Sequence, residues 1–185
     1  MKRETPLLYT LRNLAILIAI LWLIHLLGYI LPVRHLGIKP REVGGLIGIL
    51  TAPLIHASVM HLVTNSISLL AVGLLMAAVG GKRYVMITIG VALIGGLGTW
   101  IIGRGGVVHV GASGVIFGQL GYLFTLGLFT RRMRHIIIAF VAIFLYGGAI
   151  TGLLPGDSFV SWESHLSGFV AGIVIARADS KNGGQ

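Results

Sequence analysis

Six runs of apolar residues, each long enough or nearly long enough to cross a lipid bilayer, dominate this 185-residue chain and leave little room for any other architecture. They cover about 12–31, 61–79, 84–102, 113–129, 135–154 and 162–177, against the roughly 20 apolar residues that a bilayer core requires of a helix. Turn or charge signals separate them: Pro32, Gly80-Gly81-Lys82-Arg83, Gly103–Gly106, Arg131–His135 and Pro155-Gly156-Asp157. The chain is 56% hydrophobic and only 10% charged, where a soluble globule carries about 25% charged residues. The predicted fold is all-α, a polytopic membrane bundle of six transmembrane helices, in one domain covering 1–185.

The net charge of +9 does not point to nucleic acid, because the basic residues sit in the short connections where orientation in a membrane places them. With the N-terminus in the cytoplasm, one side carries Lys2, Arg3, Arg12, Lys82, Arg83, Arg131, Arg132, Arg134, Arg177 and Lys181, and the other carries Arg34, Lys39, Arg41 and Arg104. That bias puts both termini inside and the acids Glu42, Asp157 and Glu163 outside. The expected location is the plasma (inner) membrane. The first run, Leu14–Leu31, exceeds the length of a signal-peptide core and lacks a small-residue cleavage site, so it is expected to be a retained span. The chain contains no cysteine, which removes disulfides, thiolate metal sites and a cysteine nucleophile; no cofactor or metal is expected.

The longest connection, Pro32 to Ile55, contains Val43–Leu50, a Gly-rich apolar stretch too short to span. It is expected to lie at the membrane interface or to dip partly into it.

Polar residues within spans are costly and usually functional. Here they gather at the starts of the second, fourth and sixth spans: His56, His61 and Asn65, then Ser113, then His165. These three spans run in the same direction, so counting helices alone brings their polar ends to one side and a similar depth. His61 and Asn65, four residues apart, share a helix face; taken alone they also read as a polar pair that holds helices together. Ser113 lies in Gly111-Ala112-Ser113-Gly114, where glycines clear bulk from the hydroxyl and a helix N-terminus offers free N–H groups. A serine in a membrane helix is more commonly a packing residue, and a single histidine at a helix start more commonly a structural one. Gly114 with Gly118, and Gly168 with Gly172, form small-residue faces that let the fourth and sixth spans approach closely. That approach provides the contact a Ser–His pair needs. Glu163 stands two residues before His165 and so does not share its helix face, which favours a dyad over a triad.

Three blocks now stand in order: His56-Ala57-Ser58-Val59-Met60-His61-Leu62-Val63-Thr64-Asn65, Gly111-Ala112-Ser113-Gly114-Val115-Ile116-Phe117-Gly118, and His165-Leu166-Ser167-Gly168-Phe169-Val170-Ala171-Gly172. In order, spacing and placement on alternate spans the chain resembles the rhomboid intramembrane serine proteases, over nearly its whole length. The stretches Gly37–Arg41 and Thr51–His56 look like the same family. The resemblance implies that Ser113 is the nucleophile and His165 its general base. It implies an oxyanion hole of His61, Asn65 and the Ser113 N–H, with His56, Gly111, Gly114, Phe117 and Gly168 in support. It further implies transmembrane protein substrates, contact with membrane lipid, and a minimal form without an added cytoplasmic domain. The chain departs from the family pattern at Phe117, where some members carry Tyr, at Ser164 and Ser167, where Ala and Gly are common, and in lacking a Trp-Arg pair in the first loop. These departures bear on substrate preference, since none removes a catalytic group. Two other readings fit parts of the pattern. A catalytically silent relative that binds membrane clients would typically have lost Ser or His. A small transporter would show internal repeats and midplane polar groups.

Overall fold

The computed structural model describes residues 5–79, 81–156 and 161–181. Of the positions used above, Lys2, Arg3, Gly80 and Asp157 lie outside them. The described residues form seven α-helices: α1 (Pro6–Leu27), α2 (Gly48–Thr51), α3 (Val59–Val79), α4 (Tyr84–Ile102), α5 (Ser113–Thr130), α6 (Met133–Tyr146) and α7 (Trp162–Lys181). Five segments are long and apolar enough to cross a membrane: α1, α3, α4, α5, and α6 together with the 3-10 turn that extends it to Leu153. The chain is an integral membrane protein.

The sixth expected span is α7, 20 residues long but more polar than the other five. Glu163, His165, Ser167 and Asp179 on it are all buried. Its neighbours resolve the conflict. α7 packs chiefly against α5 and α4, so protein covers the side chains that lipid would penalise.

Helix limits follow local chemistry. α1 starts at Pro6, six residues before the expected boundary, because Thr5 caps it by accepting from the Leu8 N–H and proline suits a first helical turn. Ser58 caps α3 by accepting from the N–H of His61 at 3.2 Å, which moves the helix start to Val59. α5 closes at Arg131, in the left-handed region at φ 53°. The α-helical part of the fifth span ends at Tyr146, and Gly147–Leu153 continues as a 3-10 turn. The first connection folds into short pieces: 3-10 turns at Val33–Leu36, Val43–Gly45 and Ala52–Leu54, with α2 between the last two. Val43, Leu46, Ile47 and Leu50 on it are exposed, while α2 packs against α4.

The centre of the bundle is the α5–α7 contact. A Cβ at Gly172 would stand 1.8 Å from the Gly118 carbonyl oxygen, and one at Gly168 would stand 2.0 Å from that of Gly114. Only glycine permits backbones this close. Leu62, Leu69, Val72 and Met76 of α3, Val91 of α4 and Leu123 of α5 pack into one apolar core around it.

Candidate active site

Ser113 opens α5, so its N–H is among the first-turn amides that no helical carbonyl reaches. The chain turns into that helix at Gly111, where φ is +119° and an added Cβ would stand 2.6 Å from the His61 ring, so a side chain does not fit without strain. The Gly111 N–H donates to the Ala52 carbonyl at 2.9 Å. The Ala112 N–H reaches Nε2 of His56 at 3.4 Å. The first connection thus holds the approach to Ser113 at two successive amides.

His165 lies one turn into α7. Its Nδ1 is 3.0 Å from the Gly152 carbonyl oxygen and its Nε2 is 2.9 Å from Ser113 Oγ. A carbonyl only accepts, so the hydrogen belongs on Nδ1 and the lone pair on Nε2 faces the hydroxyl. The ring stacks on Phe117, with centroids 4.1 Å apart and planes at 10°. A backbone carbonyl therefore orients the imidazole on one edge, and an aromatic face supports it from the side.

His61 and Asn65 face the same space from α3. Asn65 is buried and donates one Nδ2 hydrogen to the His61 carbonyl at 2.8 Å; its second hydrogen remains for another acceptor. The rings of His56 and His61 meet edge to face at 5.1 Å. His56 is buried in the connection before α3. Burial, with smaller contributions from His61 and His25, lowers its pKa to about 4. It therefore stays neutral near pH 7 and can accept from Ala112. Gly114 and Gly168 form the backbone contact behind Ser113. The structure thus brings His56, His61, Asn65, Gly111, Ser113, Gly114, Phe117, His165 and Gly168 to one end of the bundle.

A cavity of about 600 Å³ opens onto these groups, lined by Ser113, His165, Phe117, His61, Asn65 and residues 107–110 among others. It is large enough for a short peptide segment and water together. Among the described residues no cluster of His, Cys, Asp or Glu is arranged to hold a metal ion.

Three features escaped the sequence reading. Gly152, the His165 acceptor, sits in a glycine-rich stretch at the end of an apolar run and carries no side-chain signal. His109 lies in the cavity wall, with Nδ1 2.5 Å from Ser161 Oγ and its backbone paired to Ile38 through both the N–H and the carbonyl; burial lowers its pKa. A histidine two residues before the Gly-Ala-Ser-Gly turn was the available clue. The third feature is an ion pair between Arg104 and Glu163, in which Nε and Oε1 are 2.7 Å apart.

A serine, a histidine and amide donors thus meet at one end of a bundle of apolar helices. The Rhomboid domain family matches residues 43–182, and the chain belongs to that family. It is 44% identical over 171 residues to an uncharacterized protein of Mycobacterium tuberculosis, covering 86% of this chain and 70% of the relative. It is 30% identical over 163 residues to the putative rhomboid protease YdcA of Bacillus subtilis, covering 85% of this chain and 75% of that protein. With rhomboid protease GluP of the same organism the identity is 26% over 137 residues, covering 70% of this chain and 25% of GluP.

Proposed function

We propose that this protein is an intramembrane serine endopeptidase that cleaves transmembrane protein substrates, with Ser113 as nucleophile and His165 as base. The observation that carries this reading is the 2.9 Å contact between His165 Nε2 and Ser113 Oγ, made inside a cavity whose wall also presents hydrogen-bond donors. His165 Nε2 takes the hydroxyl proton as Oγ attacks the scissile carbonyl carbon. The resulting oxyanion is met by the Ser113 N–H, by the free Asn65 Nδ2 hydrogen and by His61. As the tetrahedral adduct collapses, His165 returns the proton to the leaving amine and an acyl-enzyme remains. Water entering through the cavity, activated by the same imidazole, then releases the acid product.

Substrate choice follows from depth. The site lies at helix starts within a membrane bundle, so the scissile bond belongs to a membrane helix. That bond must unwind before a carbonyl can reach Ser113, which favours helices weakened by small residues near the cut. The distribution of arginine and lysine supports cytoplasmic termini in the plasma membrane, with the site toward the outer face.

The test is reconstitution into liposomes with a transmembrane reporter that carries small residues near one end of its span. Cleavage by the wild type and not by Ser113→Ala is the expected result. Intact reporter with both proteins, or equal cleavage by both, refutes the proposal.

A further inference from the structure

Glu163 is fully buried two residues before His165, yet it is not the group that orients the imidazole, because His165 Nδ1 is held by the Gly152 carbonyl. Its carboxylate turns instead to the loop that leads from α4 into α5. Oε1 lies 2.7 Å from Arg104 Nε and accepts from the Arg104 backbone N–H at 3.2 Å. The same loop is gripped a second time. His109 contacts Ser161 Oγ through Nδ1 at 2.5 Å, and the Ser161 and Ser164 hydroxyls are 2.7 Å apart. Both ends of this loop are thereby fixed to the few residues that precede His165, and the chain reaches Gly111 two residues and Ser113 four residues after His109. An ion pair with one buried partner contributes little net stability, since desolvation of the carboxylate consumes much of the attraction, but removing Arg104 strands a buried charge. Its contribution here is geometric.

We propose that Glu163 and Arg104 form a positioning clamp for the proteolytic reaction, which fixes the start of α7 against the α4–α5 loop and so sets the spacing of Ser113 and His165. The proposal rests on the Ser113–His165 reading given above. Neither clamp residue touches the reacting atoms; each acts through the backbone that carries the nucleophile and the base. The glycine contacts between α5 and α7 set how close the two helices come. The clamp sets where the loop and the start of α7 lie relative to each other, above the last glycine contact.

The experiment measures inactivation by a fluorophosphonate probe in the detergent-solubilised full chain, with kinact and KI separated and each rate normalised to folded protein. Glu163→Gln keeps the shape and loses the charge; Arg104→Gln removes the other partner at a partly exposed position, should the buried substitution not fold. Arg104→Lys retains a cation. A displacement near 1 Å costs about 10²-fold in a positioned reaction, so kinact is expected to fall about tenfold to a hundredfold in either Gln variant. KI is expected to hold, with most of the rate recovered in Arg104→Lys. A change in thermal midpoint with kinact unchanged in the folded fraction overturns the clamp and makes the pair a stability element. Absence of labelling in folded wild type overturns instead the Ser113–His165 reading, so the two failures are distinct.

Discussion

Replacing Gly168 by alanine pushes α7 away from α5 at the turn that carries both proposed catalytic groups. The added Cβ would lie 2.0 Å from the Gly114 carbonyl oxygen and 2.8 Å from its carbon. Both atoms belong to backbone and cannot rotate aside, so the helices must part by about 1 Å to restore contact distance. Gly114 follows Ser113 directly and Gly168 lies one turn beyond His165, so the opening falls on the dyad. The 2.9 Å contact between Oγ and Nε2 would stretch to about 4 Å, beyond hydrogen-bond reach. A displacement of this size is expected to lower kcat/KM by about 10²-fold. The bundle should persist, because overpacking costs about 1–3 kcal/mol and alanine recovers up to about 1 kcal/mol of helix propensity over glycine. Gly90→Ala is the matched control: its Cβ would meet only the Ile175 side chain, Cδ1 at 3.1 Å and Cγ1 at 3.9 Å, and the nearer atom is its movable end. Turnover of a transmembrane reporter, with thermal midpoints measured in parallel, reads the effect. Wild-type turnover in a folded Gly168→Ala protein would refute the reasoning, since the dyad would then tolerate separation of its helices.

Two further perturbations address other parts of the site. Asn65→Ala removes a donor aimed into the cavity and should lower kcat by about 10²–10³-fold; a loss confined to substrate affinity, read by steady-state kinetics, would make Asn65 a packing residue. His56 is held neutral, with its pKa lowered from 6.5 to about 4, so the folded state binds fewer protons than the unfolded state between those values. The stabilisation from this histidine is complete above pH 6.5 and is lost as pH falls from 6.5 toward 4, by up to about 3 kcal/mol. Thermal midpoints of wild type and His56→Gln in detergent should converge as the pH is lowered through this window; parallel pH dependences would show that His56 does not couple to folding.

The parts of the site visible in the sequence were those tied to helix starts. His61 and Asn65, Ser113, and His165 stand at the N-terminal ends of three helices that run the same way, and counting spans is enough to place them on one side. The small-residue faces at Gly114 with Gly118 and Gly168 with Gly172 likewise announce a close α5–α7 approach. The start of α1 was not legible: the apolar run suggests a beginning near residue 12, whereas Thr5 caps the helix and Pro6 opens it. What the sequence withheld depends on backbone or on distant loops. The Gly152 carbonyl that orients His165 leaves no mark in residue type. The pairing of Ile38 with His109 joins segments 71 residues apart in the numbering, and nothing local to either one signals it. Glu163 was visible as an acid near His165, and the rule that residues two apart on a helix diverge correctly separates it from the imidazole. Its actual partner, Arg104, appears in sequence as one more basic residue in a loop. The polarity of α7 is a similar case: hydropathy alone ranks it below a span, whereas its buried position between α4 and α5 accounts for the residues it carries.

The central claim is that His165 activates Ser113, and the most direct measurement is covalent labelling by a fluorophosphonate probe of the folded, detergent-solubilised wild type, Ser113→Ala and His165→Ala, with the modified residue located by mass spectrometry. The account predicts a single adduct on Ser113 in the wild type and none in either variant. An unlabelled wild type, or a His165→Ala protein labelled at the wild-type rate, would contradict it.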